Sequence, residues 1–309
     1  MAVASPRVEH VRARSTVLRR VAARWSGLLL VLPALAFISA FTLWPTLHVL
    51  FYSLQRHDLA HPTASFIGLA NYREIVDDPI FWRVLKNTVY YAAVTVPISI
   101  VLALLLAVAL NQKLPLRGLF RTAIFYPTVL PTISAAAIWL FIYIPDLGLA
   151  DRLLGLLHLG HHNWLGNAHL ILPALMVIAI WKQSGYFMIF FLAGLQALPA
   201  EVFEAAAIDG AGLFRRLWSI TLPLLWPTTV FVTTIALVGA FQTVDQLFLL
   251  GQGGPNNASN LLLYRIYQEA FQNFNLGHAS ALTVIMLVLV FAISVINYRS
   301  LERRAYYEA

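Results

Sequence analysis

The chain has 309 residues, of which 60% are hydrophobic and only 11% charged. A soluble domain carries roughly 25% charged residues, so this composition excludes a soluble enzyme, a secreted disulfide scaffold or a disordered tail as a description of the whole. There is no cysteine, hence no disulfide and no cysteine-ligated zinc; the formal net charge is +7, and its distribution decides what it means.

A spanning helix needs about 20 predominantly apolar residues. Residues 1–24 form a basic arm with Arg7, Arg12, Arg14, Arg19, Arg20 and Arg24. Val11, Val17, Leu18, Val21 and Trp25 could lie against a lipid surface, or the arm could be a plain basic tail. The apolar run after it continues past Phe41 and Trp44 to Phe51. That is longer than the ~7–15 residues of a signal-peptide core, so a retained first helix is expected. In chain order, six spans are predicted at about 27–51, 88–110, 122–144, 170–196, 224–248 and 279–298. Four fall in stretches without Asp, Glu, Lys or Arg; the fourth span contains Lys182 and the fifth Asp245.

Six spans put both termini on one side of the membrane. The arm, the second and fourth loops and the tail together hold 14 of the 21 Lys and Arg, so that side is expected to be cytoplasmic. The positive excess is then a topology signal, and nucleic acid is not expected as a partner. Prolines 33, 45, 97, 127, 131, 173 and 227 fall within or at the ends of spans. Each removes a helical hydrogen bond, and together they suggest bent helices around a cavity.

Loop 199–223 is more than a connector. Pro199 suits a helix start, Glu201 and Glu204 sit where the macrodipole favours anions, and Gly210 can take a left-handed stop. Val202, Phe203, Ala206 and Ile208 alternate with the carboxylates, and Ala205, Ala206 and Ala207 leave a low surface. The pattern describes a small rigid helix presented to a partner.

The spacing Glu204-Ala205-Ala206, Gly210, Ile220, Leu222-Pro223 resembles the E-A-A-x(3)-G-x(9)-I-x-L-P signature of the permease subunits of binding-protein-dependent ABC importers. The flanking Leu192-Ala193-Gly194-Leu195-Gln196, Phe66-Ile67-Gly68-Leu69-Ala70-Asn71-Tyr72 and Gly253-Gly254-Pro255 are similar to the carbohydrate-uptake branch. Trp181-Lys182-Gln183 and Tyr264-Arg265-Ile266-Tyr267 look most like its glycerol-3-phosphate members. The resemblance covers about 25–300, the permease domain, between the arm 1–24 and a cytoplasmic tail at 301–309.

The resemblance implies an all-α membrane protein with the type I importer permease fold, in the bacterial cell membrane. It implies a second permease subunit, two ATP-binding cassette ATPases using ATP and Mg, and an extracytoplasmic solute-binding protein. Glu201, Glu204, Ala205, Ala206, Asp209, Gly210, Ile220, Leu222 and Pro223 would form the ATPase-coupling element. The chain lacks G-x(4)-G-K-[ST], so no phosphate-cradling loop of its own is expected. No bound cofactor, metal or catalytic residue is expected of it either.

Intramembrane ionisable groups usually face a cavity or a partner. Trp181, Lys182, Gln183 and Tyr186 in the fourth span, and Gln242, Asp245 and Gln246 in the fifth, are the candidate solute path, since aromatic and amide groups suit sugar hydroxyls. Lys182 could meet a phosphate, pair with Asp245 or cap a neighbouring helix. His158, His161, His162 and His169 cluster in the third loop without a framing carboxylate sequence, and read as an exposed loop. The outer loops 55–86, 145–169 and 249–278 are candidates for meeting the binding protein. The rival function is a stand-alone secondary transporter or channel, which gives no reason for the Glu204-to-Pro223 spacing; a structural scaffold would show no solute-dependent activity.

Overall fold

A computed structural model describes residues 30–60, 63–112, 115–158 and 160–302. The basic arm 1–24 and most of the tail 301–309 lie outside them. The chain divides into two units at Tyr52/Ser53.

In the first unit, helix α1 (Leu30–Tyr52) is long and apolar enough to span a membrane. It buries no residue, and Leu30, Phe37, Phe41 and Trp44 are each more than half exposed, as a lipid-facing helix requires. A π-helical turn at Ser39–Leu43 ends two residues before Pro45. The widened turn makes room where the proline ring and its missing N–H would disturb the carbonyl one turn back.

The second unit holds α2 (Ala70–Asp77), α3 (Pro79–Asn111), α4 (Arg117–Val129), α5 (Thr132–Ile142), α6 (Leu149–Leu156) and α7 (Ile171–Ala197). Then follow α8 (Ala200–Ile208), α9 (Leu213–Arg216), α10 (Trp226–Phe241), α11 (Asp245–Leu250), α12 (Leu262–Tyr267) and α13 (Leu276–Glu302). Two short strands, β1 (Gln55–Arg56) and β2 (Ser65–Phe66), pair antiparallel with Gln55 opposite Phe66.

α3 and α7 form the centre. The Asp78 side chain accepts from the Ile80 N–H at 2.9 Å and Pro79 opens α3, an N-cap with proline in the first turn. At about 1.5 Å per residue its 33 residues reach about 50 Å, well beyond the ~30 Å of hydrocarbon, so part of α3 projects past the bilayer. Ala103 and Ala107 on α3 and Leu175, Met188 and Phe191 on α7 are fully buried in the main core. Small residues let these backbones approach, which is how membrane helices gain packing without a hydrophobic driving force. Gly185 carries this furthest: a Cβ there would strike the Ile124 carbonyl oxygen of α4. A smaller core of Ile75, Phe81, Val84, Leu262, Ala281 and Leu282 joins α2, α3, α12 and α13. There the Thr88 hydroxyl accepts from the Leu262 N–H at 2.8 Å, and Arg265 bridges Glu269 (2.8 Å) and Asp78 (3.6 Å).

Among the described residues, five helices are long and apolar enough to cross a membrane, α10 and α11 counting as one, and α4 with α5 makes a sixth candidate segment. The third predicted span, 122–144, is therefore not one helix but two, bent by 101°. Pro131 supplies no N–H and pushes Leu130 to extended geometry (ψ 135°). The fifth predicted span, 224–248, likewise pauses between Phe241 and Asp245. Pro97, by contrast, lies inside α3 without interrupting it.

Candidate functional site

The break in α4–α5 and the pause after α10 meet around one cavity of about 390 Å³, inside the ~300–1,000 Å³ range of small-molecule pockets. Lys182, Gln183 and Tyr186 line it from α7, and Gln242, Asp245 and Gln246 from the α10–α11 junction. Irregular backbone at membrane depth is tolerated where it lines a cavity, and both interruptions do so.

Lys182 is held from three directions. Its Nζ donates to the Leu130 carbonyl oxygen at 2.7 Å and to Thr132 Oγ1 at 2.8 Å. Thr128 Oγ1 donates back to the Lys182 carbonyl at 3.2 Å. The ammonium thus gives a donor to the Leu130 carbonyl, which lies at the break between α4 and α5, and places a cation at the C-terminal end of α4, where the helix dipole favours it. Of the three roles open in the sequence, capping a neighbouring helix is the one the geometry displays. Asp245 faces the same cavity and is exposed to it.

Gln246 is 2% exposed, and its Nε2 donates to the Tyr91 hydroxyl at 3.0 Å. It therefore orients Tyr91, a cavity residue on α3 that sequence reasoning missed. Thr128, Thr132 and Thr243 also line the cavity and were missed. A polar residue next to a proline or a break in an apolar run was the available signal. Trp181 is corrected: it is not among the residues that line the cavity, and it packs edge-on against Trp139 at 5.7 Å. One residue along a helix rotates the side chain by about 100°, enough to move it from the cavity face to another.

The foot, α8, begins after Pro199 and ends at Gly210, whose φ is +71°. The Ala211 N–H donates to the Ala206 carbonyl at 2.9 Å and the Gly210 N–H to the Ala207 carbonyl at 3.1 Å. This is a Schellman stop, which needs a left-handed residue that glycine adopts without cost. Arg216 Nε donates to the Ala211 carbonyl at 2.7 Å and ties the return segment to the stop. Glu201, Glu204, Ala205 and Asp209 are exposed, whereas Ala206 is 7% exposed. Ala206 thus packs within the chain, and of the three alanines only Ala205 and Ala207 present a low outer surface. After α9 a second π turn, Leu217–Thr221, again ends two residues before a proline, Pro223. Ile220 and Leu222 are half-buried beside it.

The foot stands beside a hollow between the ends of two long helices. Phe203 and Arg216 share a hollow of about 280 Å³ with Val108 and Asn111 of α3 and Leu195 of α7. The helices that end at the foot are those that line the cavity, and Lys182 and Leu195 lie about 20 Å apart along α7.

The histidine loop also departs from expectation. Asp151, wholly buried, accepts from the Asp146 N–H (2.9 Å), the His162 N–H (3.2 Å) and Trp164 Nε1 (2.7 Å). Those hydrogen bonds, the Asp146 N–H foremost, hold its carboxyl below the ordinary carboxylate range. Asp146, Asp151 and His161 bring their ligand atoms within 4.8 Å of one another, a carboxylate frame that the sequence order hid. With both Asp151 oxygens already accepting N–H donors, the cluster closes the loop on itself.

Residues 96–305 match the family of binding-protein-dependent transport system inner membrane components, and the chain belongs to that family. It is a multi-pass permease subunit of a bacterial ABC importer, and the stand-alone transporter reading falls away. The sn-glycerol-3-phosphate transport system permease protein UgpA of Agrobacterium fabrum is 36% identical over 281 residues, covering 90% of this chain and 95% of that protein. The protein of the same name from Yersinia pestis is 35% identical over 286 residues, covering 92% and 96%. The fold matches a chain of a bacterial ABC transporter involved in the import of the acidic polysaccharide alginate. The TM-score is 0.81 at 20% identity, over 93% of this chain and 99% of that one.

Proposed function

We propose that this permease passes a carbohydrate-like solute, a sugar, polyol or glycerol-3-phosphate, through the cavity at Lys182, Gln183, Tyr186, Gln242 and Asp245. An extracytoplasmic binding protein delivers it. The observation that carries this reading is the convergence of amide, phenol and carboxylate groups from two separate helices on one cavity. The names of the relatives support the solute class. Amides and a carboxylate offer paired hydrogen bonds to vicinal hydroxyls, and Tyr186 offers a ring face.

In this reading a second permease completes the path, and two ATPases, using ATP and Mg, dock on the feet. Glu201, Glu204, Ala205, Asp209 and Gly210 meet the ATPase. Ala206, Ile220, Leu222 and Pro223 hold the foot in shape, and no cofactor is bound by this chain itself. Loop 199–223, the arm 1–24 and the tail 301–309 are cytoplasmic, and residues 25–300 form the permease domain. The support for coupling is the shared hollow between foot, α3 and α7: closure of the ATPases moves the feet, and long stiff helices carry that motion to the cavity.

The test is solute-stimulated ATP hydrolysis by the reconstituted complex. Gly210→Ala should lower stimulation while the protein still inserts and assembles. Undiminished stimulation in both Gly210→Ala and Ala206→Leu removes the docking assignment, and uptake by the permease alone, without a nucleotide hydrolase, removes the whole reading.

A further inference from the structure

Two recesses near the starts of α3 and α7 take no part in the cavity or the foot. The first is a broad cleft of about 730 Å³ lined by Trp82, Arg83, Lys86, Tyr90 and His169, with no carboxylate in its walls. Arg83 Nη1 donates to the Asn256 carbonyl at 2.9 Å and Asn87 Nδ2 to the Asn257 carbonyl at 2.8 Å. The floor is thereby tied to the loop after α11, while Lys86 is exposed and makes no ion pair among the described residues. The second is a groove of about 410 Å³ with almost no polar lining, made by Trp139, Leu149, Leu153 and Val177 among others. Pro173 lines both recesses, so cationic cleft and apolar groove lie on adjacent faces of α7 and meet at its first turn.

Their depth is that of a membrane interface. The charge-free run of α3 starts at Asn87, one residue after Lys86, and Trp82 and Tyr90 are half exposed, 53% and 51%, as interfacial aromatics are. α6 turns Asp151 inward and leaves Leu149, Leu153 and Leu156 outside at 56%, 53% and 77% exposure. A short helix with that polarity lies in the headgroup layer.

We propose that this corner binds one anionic phospholipid, its phosphate in the cleft at Arg83, Lys86 and His169 and an acyl chain in the groove along Leu153 and Val177. A free anion or an acidic protein loop could use the cleft but has nothing to put in the groove. A neutral lipid could use the groove but leaves the cations unmatched. Only an occupant with an anionic head joined to a long apolar chain uses both recesses and the place where they touch.

The test is lipid retention by the full protein, purified with its accompanying subunits from phosphatidylglycerol-containing nanodiscs and examined by native mass spectrometry. Phosphatidylglycerol should stay bound through delipidation in preference to phosphatidylcholine. Lys86→Gln, at an exposed side chain, should reduce retention about fivefold, and Arg83→Gln with Lys86→Gln further, following the gain per basic residue near an anionic surface. Val177→Trp should reduce it by filling the groove, with assembly and thermal midpoint as controls in every variant. Equal retention of phosphatidylcholine, or no loss in Lys86→Gln, overturns the headgroup site. Retention unchanged in Val177→Trp, or lost to millimolar inorganic phosphate, shows a simple anion site and overturns the lipid.

Discussion

The cavity and the foot are built on opposite principles. Around the cavity, groups are fixed by others far away in sequence: Lys182 by Leu130 and Thr132, Tyr91 by Gln246, and, behind the lining, the α4–α7 approach at Gly185 and Ile124. The foot is fixed mostly by its own backbone, through Gly210 and the Ala206–Ala211 hydrogen bond, with Ala206 and Phe203 as its inward contacts. Damage at the cavity should therefore cost folding and transport together. At the foot the two should separate, because its exposed face contributes little to the fold.

The largest effect is expected at Gly185→Leu. No rotamer avoids the Ile124 carbonyl, so α4 and α7 must part, and the yield of folded protein should collapse on size-exclusion chromatography. Lys182→Met comes next. It leaves the Leu130 carbonyl and Thr132 without their donor, a loss of about 1–3 kcal/mol, and both thermal midpoint and uptake should fall. Lys182→Arg should recover part of both. Full uptake of an anionic solute by Lys182→Met would discard any phosphate-binding role for this lysine.

Gly210→Ala should break the comparison the other way. A φ of +71° costs a residue with a Cβ about 1 kcal/mol, and no atom lies near enough to clash. Thermal midpoint should scarcely move while ATPase stimulation drops, and Gly210→Asn, which tolerates this conformation better, should lie between. If stability and coupling fall in proportion at Gly210, the foot is no more independent than the cavity.

The smallest effect is a pH dependence at the third loop. Because the Asp151 carboxyl is held below its ordinary 3.8, its stabilisation is complete above that value and fades as pH falls through the lowered one. Tryptophan fluorescence near Trp164 should hold from neutrality to about pH 5 and change only in strong acid. Asp151→Asn should abolish that acid transition.

How far the residues announced this depends on how local each feature is. The foot was legible because its parts lie within a dozen residues: Pro199 to start, carboxylates early, Gly210 to stop. The cavity lining was legible by type, since polar groups in an apolar run stand out, but not by direction. Trp181 and Lys182 are neighbours in sequence and face different surroundings, because the helical rotation between them is set by what α7 packs against. Ala206 turned inward for the same reason. The Asp151 hub was illegible because its donors, Asp146, His162 and Trp164, are spread along a loop whose path is fixed only by folding.

The amino-acid sequence by itself determined that the chain lives in a membrane, about where it crosses, and that one loop carries a helix with a defined end. Hydrophobic length, charge placement and turn chemistry are properties of contiguous residues. Only tertiary structure decided that the third predicted span is broken by 101°, that a lysine from another helix caps the break, and that cavity and foot both adjoin α3 and α7. Those depend on which backbones come close enough to share a hydrogen bond, and packing alone sets that distance.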